Sequence, residues 1–158
     1  MRVWRLCRAA HIDEAMTGEG ARLHGGRWNP KGVPVVYASA TLSLAVLEAL
    51  VHTEPGSLPD DFLALPVDWP EDLAIPEVKS EGLPAAWREP RDHEALQAVG
   101  KAWTDTGENA VLAVPSAIVP HERNFLINPA HRDMAKIRPG GALPFRFDAR
   151  LPGLQGIP

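Results

Sequence analysis

Sixteen prolines and thirteen glycines are spread along most of the chain rather than gathered into one linker. Proline fixes φ and removes a backbone donor, and glycine readily leaves helical geometry. Regular elements must therefore be short and firmly ended. A bundle of long helices does not fit that punctuation. The 158 residues suffice for one compact domain with a buried core and are too few for two full ones. The 45% apolar and 23% charged fractions match an ordinary globular protein, and no apolar run reaches the length of a membrane span.

Sixteen Lys and Arg face twenty Asp and Glu, giving a net charge of -4 and a pI near 5.8. That balance offers no global cationic field for nucleic acid, so no direct nucleic-acid binding is expected, although a local basic patch stays open. Cys7 stands alone and makes neither an internal disulfide nor a CxxC motif. The first residues carry Arg2, Arg5 and Arg8 and no apolar core of a secretory signal, so a cytoplasmic protein is expected.

Period-2 patterning predicts a strand over residues 3–8, with Val3, Arg5 and Cys7 on one face and Trp4, Leu6 and Arg8 on the other. Residues 12–16 predict a brief helical turn, and the Gly-rich stretch 18–32 a structured surface loop. A strand over 33–39 follows, with Val33, Val35, Tyr37 and Ser39 on one face and Pro34 at an edge or a start. Residues 41–52 give the clearest helix, capped by Ser39 or Thr41. It is apolar almost all round through Leu42, Leu44, Val46, Leu47, Leu50 and Val51, and so is expected to be mostly buried. Its polar or small stripe, Thr41, Ala45, Glu48 and His52, is expected to line a cleft.

Farther along, a strand is predicted at 62–67, then a peripheral Pro-rich segment at 69–90 and a helix capped by Asp92 and running through Trp103. Further strands are predicted at 111–114, 125–127, 134–137 and 145–149. The sum is a single α+β domain with a curved or split, mainly antiparallel sheet flanked by two main helices.

Glu48 is the most informative residue, because an ionised carboxylate in a nearly all-apolar helix must be paired, hydrated in a cleft or used in chemistry. A helix edge facing water is the plain alternative. His52 lies one turn on, at a spacing that surface pairs also use. Arg27 sits after Gly25-Gly26, where backbone can approach a ligand and a guanidinium offers a planar fork of donors to phosphate oxygens. A turn in which it stacks on Trp28 would look the same. Tyr37, within a strand, is by default a half-buried aromatic, and becomes a stacking platform only if Arg27 and Glu48 lie near it. Ser116 ends a buried strand, yet no GxSxG elbow surrounds it. The six histidines show no HExxH spacing and no Cys partners, so no metal is expected, and no Walker or Rossmann fingerprint is present.

In order along the chain, Gly-Arg-Trp-Asn-Pro-Lys-Gly at 26–32, Pro-Val-Val-Tyr-Ala-Ser at 34–39, Leu-Ala-Val-Leu-Glu-Ala-Leu-Val-His at 44–52, Val-Pro-Ser-Ala-Ile at 114–118 and Asn-Phe-Leu-Ile-Asn-Pro-Ala-His at 124–131 resemble the RES domain family, named for Arg, Glu and Ser. The matching residues are Arg27, Glu48 and Ser116. The resemblance implies a domain over residues 1–150 with a tail at 151–158, and a fold similar to ADP-ribosyltransferase toxins. It further implies the toxin of a type II toxin-antitoxin pair that stops growth by consuming NAD. The implied reaction cleaves the nicotinamide-ribose bond, with inorganic phosphate or water as acceptor, or transfers ADP-ribose to a protein.

By the same resemblance Arg27 holds a phosphate of NAD, Tyr37 stacks on nicotinamide, and Ser116 positions nicotinamide or its ribose. Ser43, His52 and Asn124 contribute beside them. The implied partners are an Xre-type antitoxin and a second copy, as a homodimer within a larger complex. The chemistry agrees with the residues, since cleavage at ribose passes through an oxocarbenium-like species that a carboxylate such as Glu48 stabilises. Two other readings stay open: mono-ADP-ribosylation of a specific host protein, and a non-catalytic partner-binding module.

Overall fold

The period-2 segments become the strands of one antiparallel sheet in a computed structural model that describes residues 1–53, 59–91, 93–148 and 150–151. The strands are β1 (Arg2–Arg8), β2 (Val36–Ser39), β3 (Phe62–Asp68), β4 (Val111–Pro115), β5 (Arg123–Ile127), β6 (Arg138–Pro139) and β7 (Leu143–Phe145), in the order β4-β5-β2-β1-β3-β6. The strand β7 pairs with the first half of β3, and β6 with its end. β1 and β3 pair along their full length, from Arg2↔Asp68 to Arg8↔Phe62. β1 and β2 meet only at Trp4↔Ser39. The sheet is continuous but nearly parted between these two strands, within the curved or split, mainly antiparallel architecture expected.

Both faces of the sheet are covered. Val3, Val36, Val67, Val111, Phe125 and Ile127 anchor one apolar cluster, and the alternate residues Val35, Leu112, Val114 and Leu126 anchor another. Two-sided burial explains why β4 is apolar at every position instead of alternating. The second cluster is closed by Trp28 and by Leu96 and Trp103 of helix α3 (Glu94–Thr106). That helix passes so close to the chain at Trp28 that a Cβ on Gly100 would stand 1.8 Å from the Trp28 carbonyl oxygen. Only glycine fits there.

Helix α2 (Leu42–Leu50) begins where Thr41 Oγ1 accepts the Leu44 amide at 3.1 Å. It departs from the expectation of a mostly buried helix. Only Leu44 and Ala45 are buried, while Leu47 is 39% and Val51 is 58% exposed. The helix rests on β1 and β2 by one face, and part of its apolar outer side, Leu47 and Val51, is exposed.

Other expectations need correction. Helix α1 (Glu19–His24) lies inside the stretch read as a loop, entered and left through Gly18 and Gly25 at positive φ. The 33–39 strand starts only at Val36, beyond Pro34. The strand expected at 134–137 is a 3-10 turn (Arg132–Lys136), which brings Met134 and Ile137 to one side at i,i+3. The strand expected at 145–149 is already complete at Phe145. The Pro-rich segment is not peripheral: Leu73 and Ile75 pack on the first cluster and Val78, Leu83 and Trp87 on the second. Asp92, Ala149 and tail residues 152–158 lie outside the described residues, and His93 takes the position before α3. Among the described residues no helix is long and apolar enough to cross a membrane.

Candidate active site

Where β1 and β2 part, a cleft of about 810 Å³ opens between them. Trp4 and Arg5 of β1, Tyr37 and Ser39 of β2, and Glu48 of α2 line it. The stripe expected to face a cleft does so through Ala45, Glu48 and His52, whereas Thr41 serves as the cap of α2 and donates to Glu122.

Glu48 is held by one oxygen. Its Oε1 accepts the Ser116 hydroxyl at 2.8 Å and the Asn124 amide at 2.5 Å, and its Oε2 has no hydrogen-bond partner among the described residues. Asn124 is itself fixed, because its Oδ1 accepts the hydroxyl of Ser39, its cross-strand neighbour, at 2.7 Å. Ser116 is fully buried just beyond β4, and its oxygen also accepts the Ile118 and Val119 amides at 3.1 and 3.0 Å. One donor and two acceptor sites are thus all used. Ser116 therefore positions the carboxylate and has no bond left for a ligand. Asn124 has its carbonyl spent on Ser39 in the same way.

The loop bearing Arg27 is built on Asn29, which is fully buried. Its amide nitrogen donates to the Ala21, Pro30 and Val33 carbonyls, and its Oδ1 accepts the Tyr37 hydroxyl at 2.7 Å. The Tyr37 oxygen also accepts the Trp28 amide at 3.1 Å. Burial raises the pKa of this phenol, so it stays neutral and keeps its donated bond. Gly26 must be glycine here, since a Cβ would come within 2.7 Å of both Asn29 Oδ1 and the Tyr37 oxygen. Tyr37 thus spends its hydroxyl on the loop and offers only its ring to the cleft.

The guanidinium of Arg27 does not meet a carboxylate. Its Nη1 donates to the Trp87 and Glu89 carbonyls at 2.7 and 3.0 Å, drawing the strap at 87–90 against the cleft. Burial lowers its pKa, and the charge of Glu48 acts in the opposite direction. Arg5 bridges the split in the sheet, its Nη1 donating to the Tyr37 carbonyl at 2.9 Å, while its buried Nε has no partner. Burial lowers the Arg5 pKa as well. On a chain of net charge -4, three arginines (Arg5, Arg27 and Arg88) line this cleft against a single carboxylate, that of Glu48, among the described residues.

The structure thus brings Arg27, Tyr37, Glu48, His52 and Asn124 to one cleft, with Ser116 directly behind Glu48. Ser43 stands exposed on the first turn of α2, outside it. Sequence reading missed Arg5, Ser39, Asn29 and Arg88. Ser39 was detectable as a polar residue two positions after Tyr37 on the same strand face, and Arg5 as a cation inside an apolar strand.

Residues 2–148 match the RES domain family. Toxin Res from Photorhabdus laumondii subsp. laumondii is 40% identical over 152 residues, covering 96% of this chain and 97% of that protein. The Prs ADP-ribosylating toxin from Sphingobium sp. is 39% identical, covering 94% of each chain. A chain from the crystal structure of the M. tuberculosis MbcT-MbcA toxin-antitoxin complex superposes with a TM-score of 0.73 at 21% identity, over 92% of this chain and 84% of that one. The last likeness shows a shared fold, while the family match and the two close relatives show membership. The chain belongs to the RES domain family.

Proposed function

We propose that this RES-domain chain is the toxin of a toxin-antitoxin pair and consumes NAD by breaking the bond between nicotinamide and ribose. The observation that carries the reading is the Glu48 carboxylate, clamped through Oε1 and open at Oε2, in a cleft whose other charged groups are arginines. The electron pair of the broken C–N bond goes to the nicotinamide nitrogen, so the ring leaves neutral and needs no general acid. Positive charge develops on the ribose, and a fixed carboxylate beside it stabilises that charge without reorganising. Ser116 and Asn124 supply the fixing.

Arg27 and Arg5 provide donors and charge for the pyrophosphate, and the Tyr37 ring provides a face for nicotinamide. The acceptor oxygen belongs to inorganic phosphate or water, with any proton it carries passing to solvent. The name of the Sphingobium relative favours a second reading, in which a protein side chain takes the ADP-ribose. An Xre-type antitoxin, a homodimer and a cytoplasmic site of action belong to the same proposal.

Purified protein freed of antitoxin is expected to release nicotinamide from NAD, and Glu48→Ala to lose that release by about a hundredfold or more. Dependence on phosphate identifies phosphorolysis, and release without phosphate identifies hydrolysis. Label transfer from adenine-labelled NAD to protein identifies the second reading. A Glu48→Ala protein that keeps full activity would falsify the assignment.

A further inference from the structure

Eight of the twelve arginines can be set against one another by what holds them. Arg2, Arg8, Arg22, Arg123 and Arg150 lie on the surface in ion pairs with Asp or Glu. The three in the cleft bond only to backbone carbonyls: Arg5 to Tyr37, Arg27 to the strap, and Arg88 to Ala117. A carbonyl orients a guanidinium without neutralising it, so these side chains keep their full charge for something else.

Resting on the NAD reading above, we propose that Arg88 is a further phosphate-binding residue of the cleft, beside Arg27 and Arg5, holding a phosphate oxyanion through its two terminal nitrogens. Its Nε donates to the Ala117 carbonyl at 2.9 Å, which fixes the guanidinium beside the turn that carries Ser116. Neither Nη atom has a protein partner among the described residues. The backbone at this point is held too, because Trp87 packs into the second core cluster and the Trp87 and Glu89 carbonyls are tied to Arg27. Arg88 is exposed, as Arg91 is, and with these contacts is an anchored fork on the cleft wall. The ligand chemistry is a phosphate oxyanion, which the pyrophosphate of the dinucleotide or a free acceptor phosphate can supply.

The test is calorimetric titration of the full chain with ADP-ribose and, separately, with inorganic phosphate, so that binding is read without turnover. Arg88→Gln is compared with Arg91→Gln, an equal loss of charge at an exposed neighbour that does not line the cleft. Arg88→Gln is expected to weaken one of the two ligands about ten- to a hundredfold, with Arg91→Gln within about twofold of the parent. Arg88→Lys, which keeps the charge and loses the fork, is expected to fall between. Weakened ADP-ribose binding assigns Arg88 to the dinucleotide, and weakened phosphate binding alone assigns it to the acceptor. Equal effects of Arg88→Gln and Arg91→Gln on both ligands overturn the proposal. A parent protein that binds ADP-ribose and releases no nicotinamide defeats the catalytic reading while leaving the Arg88 assignment standing.

Discussion

The two ends of the cleft are organised in opposite ways. Around Glu48 the polar groups are nearly saturated: Ser39 donates to Asn124, Asn124 and Ser116 donate to one carboxylate oxygen, and the Ser116 oxygen is filled by two backbone amides. Around Arg5, Arg27 and Arg88 the cations touch carbonyls alone, and donors and charge are left over. A saturated network fixes one atom for chemistry, whereas an under-satisfied cationic wall is built to be completed by an anionic ligand. The first should govern kcat and the second KM.

The largest effect is expected from loosening the saturated end. Ser116→Ala and Asn124→Ala together are expected to lower kcat about a hundred- to a thousandfold with KM changed little, as found for lost oxyanion-hole donors. The single variants locate the coupling through a double-mutant cycle of steady-state rates, and a sum of independent effects would break the picture of one shared clamp. Gly100→Ala comes next, because its Cβ would drive α3 off the Trp28 backbone. A loss of about 3 kcal/mol in urea unfolding is expected, at the upper end of overpacking costs.

At the cationic end, Arg27→Lys keeps the charge and loses the planar guanidinium, whose Nη1 holds the Trp87 and Glu89 carbonyls. An increase in KM for NAD of about tenfold with a smaller change in kcat is expected from steady-state kinetics. A kcat loss without a KM change would show that the two ends are not separate. The smallest effect concerns Asp68 and Asp61, whose exposed pairs with Arg2 and Arg8 tie the ends of β1 to β3 and to the turn before it. The paired arginines hold both carboxyl pKa values below the usual range. Their contribution is present above about pH 4 and is lost as pH falls through the depressed values. Asp68→Asn should therefore lower neutral stability slightly and leave stability below the depressed values unchanged, flattening the acid limb of a stability-pH curve.

How much of this was legible follows the range of the interactions. The alternation in residues 33–39 and the apolar helix around Glu48 are local patterns; the helix appears where the chain predicts it, and the strand forms from Val36 onward. The clustering of Arg27, Tyr37 and Glu48 followed from family resemblance rather than spacing. The Pro-rich segment was misjudged because Leu73, Ile75, Val78, Leu83 and Trp87 follow neither a 2.0 nor a 3.6 period, although they fill both cores. Met134 and Ile137 read as strand because their apolar character dominates a short window that a 3-10 turn also satisfies. Ser116 was expected to touch the ligand, and only the count of its bonds shows that it is spent on Glu48 and the turn. Arg5 was detectable as a cation inside an apolar strand, but its contact with the Tyr37 carbonyl depends on how β1 and β2 pair, which the strand alone does not encode.

The most direct measurement pairs ADP-ribose titration with nicotinamide release from NAD for Glu48→Gln, a variant that keeps the side-chain volume and removes the charge. Affinity for ADP-ribose within a few-fold of the parent, with release reduced about a hundred- to a thousandfold, is the expected result. Release at the parental rate, or affinity and release lost in the same proportion, would contradict a cleft in which the arginines bind and Glu48 performs the chemistry.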